Sequence, residues 1–151
     1  MHMERTFKIL MGLIAGVLMI FATSSCSKDE MNNKNIEGKW QSTDVNYKKY
    51  EAGNLEYEDS GASTDIGLNF KSDGTGQLIG YSERESKTIQ ITWVIMGEKL
   101  ILTQYKEGES HTVTFYIIQI KSSSMTLSMI EEYTDDGVQY KEIITYNFKK
   151  I

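Results

Sequence analysis

Between residues 64 and 149, apolar side chains recur at every second position in one short run after another, and each run ends in a cluster of Gly, Asp, Glu or Ser. A period of two is that of a β-strand with one buried face, and a helix cannot present such a pattern as a single apolar stripe. Thr64 to Lys71 sets Ile66, Leu68 and Phe70 against polar neighbours, and Thr88 to Met96 does the same with Ile89, Ile91, Trp93 and Ile95. Leu100 and Leu102 alternate within Lys99 to Lys106, and Met125, Leu127 and Met129 alternate with Thr126, Ser128 and Ile130. His111 to Lys121 is rich in β-branched and aromatic residues, which suit a pleated surface. Gly38 to Tyr47, Gly76 to Glu83 and Val138 to Lys149 complete eight expected strands.

The breaks between runs have turn chemistry. Ser72-Asp73-Gly74-Thr75-Gly76, Gly97-Glu98, Glu107-Gly108-Glu109, Ser122 to Ser124 and Thr134-Asp135-Asp136-Gly137 supply residues that tolerate positive φ or bond their own backbone. Turns this short join antiparallel neighbours in sequence order. The expectation is therefore an all-β domain, an eight-stranded antiparallel up-and-down β-barrel whose closure removes exposed edges. An antiparallel β-sandwich of two sheets is the alternative that the pattern leaves open. Large inward residues and polar outer faces such as Thr88, Gln90 and Thr92 argue against a membrane barrel.

The first 25 residues read differently. Arg5 and Lys8 precede an apolar run of 14 residues, Ile9 to Ala22, then Thr23, Ser24, Ser25 and Cys26. As a helix that run would reach about 21 Å, short of the roughly 30 Å hydrocarbon core, so it suits a signal peptide better than a span. Cys26 is the only cysteine and has no partner for an intramolecular disulfide. The segment resembles a bacterial lipoprotein signal with a lipobox, although Thr23 stands where a Leu is usual. That resemblance implies residues 1–25 are a signal peptide and that Cys26 becomes the acylated first residue, carrying fatty chains such as palmitate. Ser27-Lys28-Asp29-Glu30 resembles the surface-export signal of lipoproteins in Bacteroidetes-type bacteria. Residues 26–35 then form a lipidated flexible linker, polar and on the order of 17 Å as a coil, and residues 36–151 form the domain. The expected location is the outer membrane, lipid-anchored, with the surface as one face open to it.

Charge and residue types exclude several function classes. The chain carries a net charge of −5, and no basic cluster exceeds Lys48-Lys49 or Lys149-Lys150. Nucleic-acid binding rests on phosphate neutralisation, so no nucleic-acid partner is expected. Beyond the signal, His111 is the sole histidine, read as an exposed residue at a hairpin tip beside Glu107 and Glu109. No catalytic triad, zinc site or cofactor is expected from such a set, and the chain reads as a non-enzyme. Glu131 and Glu132, as neighbours in a strand, point to opposite faces and cannot work on one substrate.

Ile36-Glu37-Gly38-Lys39-Trp40 opens the first strand, and its Gly38-x-Trp40 matches the Gly-x-Trp signature of lipocalins. With the Phe70 to Gly76 and Thr92 to Leu102 hairpins and the lipobox, the chain is similar to lipocalin-like lipoproteins of Bacteroidetes-type bacteria over residues 36–149. The resemblance implies that the Trp40 indole plugs the narrow end of the barrel, with Gly38 allowing close packing. In lipocalins proper a late Arg packs over that Trp. No arginine follows Arg84 here, and Lys149 is the nearest substitute.

Asn46 to Ser63 is the longest connection, with Tyr47, Tyr50 and Tyr57 among four acids. The resemblance implies a lid over the barrel mouth. The residues equally permit a hairpin, Lys48 to Glu51 pairing with Asn54 to Glu58 across Ala52-Gly53. A small apolar or amphipathic ligand is the expected partner, with Tyr47, Tyr50, Leu68, Phe70, Trp93, Leu102, Phe115 and Met129 as the candidate contacts. The competing expectation is a structural or interaction domain (adhesin, accessory subunit or inhibitor) whose surface loops meet a cell-surface protein or glycan.

Overall fold

The computed structural model describes residues 33–81 and 85–151. The expected signal peptide, Cys26 and the first part of the linker lie outside the described residues. Among the described residues no helix is long and apolar enough to cross a membrane. Residues 33–36, at the end of the stretch read as linker, form a helical turn, and the strands begin two residues later.

Among the described residues nine strands follow: β1 (Gly38–Glu51), β2 (Asn54–Ala62), β3 (Ile66–Phe70), β4 (Thr75–Tyr81), β5 (Ser86–Met96), β6 (Lys99–Lys106), β7 (Glu109–Ile120), β8 (Ser124–Asp135) and β9 (Val138–Lys150). Each pairs antiparallel with its neighbour from β3 to β9, and β9 returns to β1 from Lys150↔Trp40 to Tyr140↔Glu51. The sheet is thus a closed barrel.

Nine strands fill eight positions because β2 and β3 share one edge of β1. Gly38 to Gln41 pair with β3, and Asp44 to Glu51 pair with β2. The break between them faces a register irregularity in β1 between Ser42 and Asp44. Side chains stitch the break: Ser42 Oγ accepts from Ile66 N at 3.1 Å, and Gln41 Nε2 donates to Thr64 O at 2.6 Å and Ile66 O at 3.1 Å. The Asn46–Ser63 segment is therefore the hairpin, in the register read from sequence, with Lys48 opposite Glu58. The first strand runs on to Glu51 rather than ending at Tyr47.

The alternation fixes the core. Leu68, Phe70, Ile91, Leu102, Phe115, Leu127 and Phe148 are all buried, with Trp93 and Met129 packed partly buried against them. One end of the barrel holds the β3–β4, β5–β6 and β7–β8 turns and is closed by Trp40. Its indole is 1% exposed, and Nε1 donates to Ile36 O at 2.7 Å. The cation over this ring is Lys150, not Lys149. Lys150 Nζ lies 5.0 Å from the ring centroid and donates to Asn35 O at 3.1 Å. Parity explains the difference: Phe148 faces inward, so Lys150 does too, and exposed Lys149 faces out. Gly38 makes room for this arrangement. Its φ is +119°, and an added Cβ would lie 2.8 Å from Lys150 Cε.

Candidate functional site

The opposite end of the barrel is the mouth, reached by the β1–β2, β4–β5, β6–β7 and β8–β9 connections. Interior-facing residues become steadily more accessible toward it. On β8, Met125 and Leu127 are buried, Met129 and Glu131 are half-buried, and Tyr133 is exposed. On β9, Phe148, Tyr146 and Ile144 are buried, while Glu142 and Tyr140 are half-buried. Val45 and Tyr47 on β1, and Val113 on β7, are half-buried and pack on the core, Tyr47 in register with Met129 through Ile144. Above a packed floor the interior side chains of the upper barrel, the cup, are thus partly solvated.

The rim of the cup is polar and aromatic. The cross-strand register places Glu131 directly opposite Glu142, and Glu142 directly opposite Lys49. Tyr133 pairs with Tyr140, which pairs with Glu51. Residues opposite one another in an antiparallel ladder put their side chains on the same face. Tyr133 Oη donates to Glu142 Oε1 at 2.9 Å, and the Tyr47 phenol feels the Glu142 charge. Tyr133 and Tyr140 stack at 5.2 Å, Tyr47 and Tyr57 lie 5.9 Å apart, and Tyr57 donates to Asp59 at 3.3 Å. Lys49 Nζ sits over the Tyr140 ring at 4.9 Å. Across the mouth, Gln104 faces His111.

The acids set the local electrostatics. The hydrogen bond to Glu142, with burial next, pushes the Tyr133 phenol up to about 12. Burial, then the Glu142 charge, pushes Tyr47 well above the ordinary phenol range. Burial first, and the facing Glu142 charge second, raise the Glu131 carboxyl above its ordinary value. Deeper in the barrel, Tyr146 is 2% exposed and its hydroxyl has no hydrogen-bond partner among the described residues. Burial, then the Asp65 charge, raises that phenol as well.

The sequence-expected contacts separate into three places. Tyr47 and Met129 lie together in the cup. Leu68, Phe70, Leu102 and Phe115 are sealed in the packed core, each 3% exposed or less. Trp93 packs at the closed end, edge-on to Phe70 at 5.5 Å, with Nε1 donating to Lys71 O and Thr75 O at 3.1 Å each. Tyr50 has the opposite parity from Lys49 and faces outward. It lines a groove of about 370 Å³ with Gly53, Glu132, Thr134, Gln139 and Lys141, bordered by Tyr133 and Tyr140. His111 is not at a hairpin tip. It stands two residues inside β7, half-buried, at an interior position.

Glu131, Glu142, Tyr133 and Tyr140 were absent from the sequence-level candidates. The signal for them was present, because a two-residue turn at Asp136-Gly137 pairs Asp135 with Val138 and, counting outward, Glu131 with Glu142.

Residues 36–127 match a family model described as a lipocalin-like domain. No curated protein sequence matches the chain significantly. Among solved structures, the chain is similar to a lipocalin-like protein from Bacteroides uniformis, with 17% identity and a TM-score of 0.53, over 78% of this chain and 99% of that one. It is also similar to insecticyanin from the tobacco hornworm Manduca sexta, with 10% identity and a TM-score of 0.57, over 78% of this chain and 62% of that one. At these identities the likeness is one of fold.

Proposed function

Because the chain belongs to the lipocalin-like domain family, we propose that it is a binding protein of the cell envelope that takes a small amphipathic ligand into the mouth of its barrel. The observation that supports this most is the gradient of burial along β8 and β9, from the sealed Leu127 and Tyr146 to half-buried Met129 and Glu142. The apolar band of Val45, Val113 and Met129 would bury the body of the ligand, and the tyrosine and glutamate rim would meet its polar end. Met129 adapts to varied shapes because its chain is unbranched. The ligand enters an open cup and not the lower barrel, which its own side chains fill.

In this reading the protein is not an enzyme. Acylation of Cys26 holds it at the outer membrane, and the linker lifts the mouth off the lipid. The Cys26→Ser variant is expected in the soluble fraction, and its retention in membranes would end the anchor proposal.

A neutral apolar dye such as Nile red tests the cup. Its emission is expected to shift to the blue on binding, and Met129→Trp and Val113→Phe, which fill the band, are expected to remove the shift. Dye binding that survives both substitutions, or no binding at all, overturns the carrier reading. The outer groove beside Tyr50 and the wholly exposed β2 support the second reading, an interaction domain that acts through its surface. That reading gains if dye binding is lost with Tyr50→Ala instead.

A further inference from the structure

We propose that the closed end of the barrel is a docking face for an anionic lipid surface, with its lysines on the lipid head groups and an exposed apolar patch beside them in the interface. The inference goes beyond the carrier reading and is independent of what the cup holds. It rests only on the envelope location proposed above.

Charge comes first. The sequence has no basic cluster larger than a pair, but the fold gathers scattered lysines into one. The β3–β4, β5–β6 and β7–β8 turns, residues 33–37 and the paired ends of β1 and β9 meet at the closed end. Backbone bonds join them, among them Ile117 N to Glu98 O, Lys150 N to Ser123 O and Ile151 N to Lys39 O. Among the described residues, seven of the twelve lysines lie there, against three of the seventeen acidic residues, Glu37, Asp73 and Glu98. Lys34, Lys39, Lys71, Lys99, Lys121 and Lys149 are exposed, and half-buried Lys150 lies over Trp40. None of the seven is in an ion pair among the described residues, whereas Lys48, Lys106 and Lys141 elsewhere each have one. The remainder of the barrel is strongly acidic, so charge of opposite sign is separated along its axis. A negative surface attracts the closed end and repels the mouth, and the attraction acts within a Debye length.

Exposed apolar surface comes second and is independent of the charge count. Val94, Met96, Ile118 and Ile151, all near this end, are four of the six exposed large aliphatic residues. Register puts Met96 opposite Lys99 and Lys99 opposite Tyr116, an exposed ring that Lys99 Nζ approaches at 5.5 Å from the centroid. Ile118 follows two residues later, at the irregularity in the β7–β8 pairing and beside the β5–β6 turn. Aliphatic side chains edged by a tyrosine and lysines suit a membrane–water interface, where the apolar groups enter the acyl boundary and the cations stay among the head groups. A soluble polyanion would engage the lysines and leave the apolar patch in water.

The path of the chain is the third observation. Residues 33–36 pack at the closed end, where Asn35 O accepts from Lys150, so Cys26 is joined to that end and not to the mouth. The seven steps from Cys26 to residue 33 reach at most about 25 Å when extended. An acyl group on Cys26 would therefore keep the basic, apolar end within reach of the bilayer. Docking by that end would turn the mouth away from the lipid and open the cup to the aqueous side.

The test uses the full-length chain with Cys26→Ser and one new cysteine carrying the fluorophore NBD. The label sits at Ile118→Cys on the apolar patch, or at Tyr105→Cys, an exposed site beside the β6–β7 turn of the mouth. Vesicles are phosphatidylcholine alone or an equal mixture with phosphatidylglycerol, and emission is read on chains that float with them. The label at position 118 is expected to shift to the blue on the mixed vesicles and far less on phosphatidylcholine, and the label at position 105 on neither. In Lys71→Gln/Lys121→Gln/Lys149→Gln, checked for folding by its thermal transition, the ratio of contacting to free barrels is expected to fall at least about tenfold. Lys48→Gln/Lys87→Gln/Lys106→Gln, which removes the same charge from the other half, is expected to keep the shift. No shift at position 118 on the mixed vesicles, an equal shift at position 105, or a shift that survives loss of the three closed-end lysines overturns the docking face. An equal shift on phosphatidylcholine overturns its preference for anionic lipid. Because Cys26→Ser carries no acyl group, these outcomes are separate from the anchor proposal, which fractionation tests, and from the carrier reading, which the dye tests.

Discussion

The two ends of the barrel are built on opposite terms. At the closed end the two indoles and the lysine over the plug all have partners. Trp40 Nε1 donates to Ile36 O, Lys150 Nζ donates to Asn35 O over the indole, and Trp93 Nε1 is shared by two carbonyls. At the mouth, two glutamates face each other, and three two-residue turns hold Ala52, Glu107 and Asp136 at positive φ, where only glycine is at ease. Consistency of local and global preferences is what stabilises a fold, and departures from it gather where a protein does something other than fold. The closed end therefore carries stability, and the mouth is where the proposed binding role would lie, a division that substitutions at each end can break.

The plug is where the largest effect is expected. Trp40→Ala removes a fully buried indole from a floor with no room to collapse, at a cost of about 3–5 kcal/mol in denaturant unfolding. Trp40→Phe, which leaves Ile36 O without its donor, should cost less. A loss for Trp40→Ala below about 1 kcal/mol, the scale of a surface change, would mean that the closed end is not the stabilising end.

Gly38 comes next. Gly38→Ala places a Cβ against Lys150 and forces a φ of +119° that L residues avoid, with an expected cost of about 2 kcal/mol. Lys150→Ala alone loses the contact over Trp40, worth about 1 kcal/mol. The double variant is expected to cost less than the two together, because removing the lysine frees the space that the new Cβ needs. Additive losses would show that the glycine serves only its backbone conformation and not the lysine.

How far these features could be read from sequence follows from what the alternation carries. A period of two assigns faces within a strand, so the buried set of Leu68, Phe70, Leu102 and Phe115 was legible. It also implied Lys150 over Trp40 once Phe148 was placed inward, and the choice of Lys149 was an error of parity. Hairpin partners follow by counting outward from a turn, so the Glu131–Glu142 pair was implicit in Asp136-Gly137. Closure of the barrel was expected, but two of its features were not legible. The register of β9 on β1 joins residues about a hundred positions apart, which no local pattern encodes. The break between β2 and β3 depends on the irregularity at Ser42, whose hydroxyl serves Ile66 across the sheet. The depth of the cup was hidden for the same reason: alternation says which side chains face inward and not how far down water can follow them.

The turns at the mouth offer a gain. Ala52→Gly and Glu107→Gly exchange a residue at positive φ (48° and 54°) for one that adopts it freely. Each is expected to stabilise by about 0.5–1 kcal/mol, the relief of left-handed strain less the entropy of an added glycine. Midpoints of urea unfolding measure it, and a loss at both positions would remove strain from the description of the mouth.

The smallest effect tests the facing glutamates. Burial and the Glu142 charge raise the Glu131 carboxyl above its ordinary value, so the folded protein holds that proton more tightly than the unfolded chain does. The stability tied to the group is then fully present below the ordinary carboxylate range and is lost as pH rises through the raised value. At neutral pH Glu131 is a net burden, lightened by solvent screening at so accessible a site. Glu131→Gln is expected to stabilise the protein by about 0.5 kcal/mol at pH 7.5, and the gain should vanish near pH 4. Its neighbour Glu132 faces outward and pairs with Lys141 at 2.9 Å, so Glu132→Gln should show the opposite sign, a loss of a few tenths of a kcal/mol at neutral pH. Adjacent glutamates on one strand then respond in opposite directions because one faces the lumen and the other the solvent. Equal responses from the two, at both pH values, would show that the carboxylates of the mouth do not feel one another.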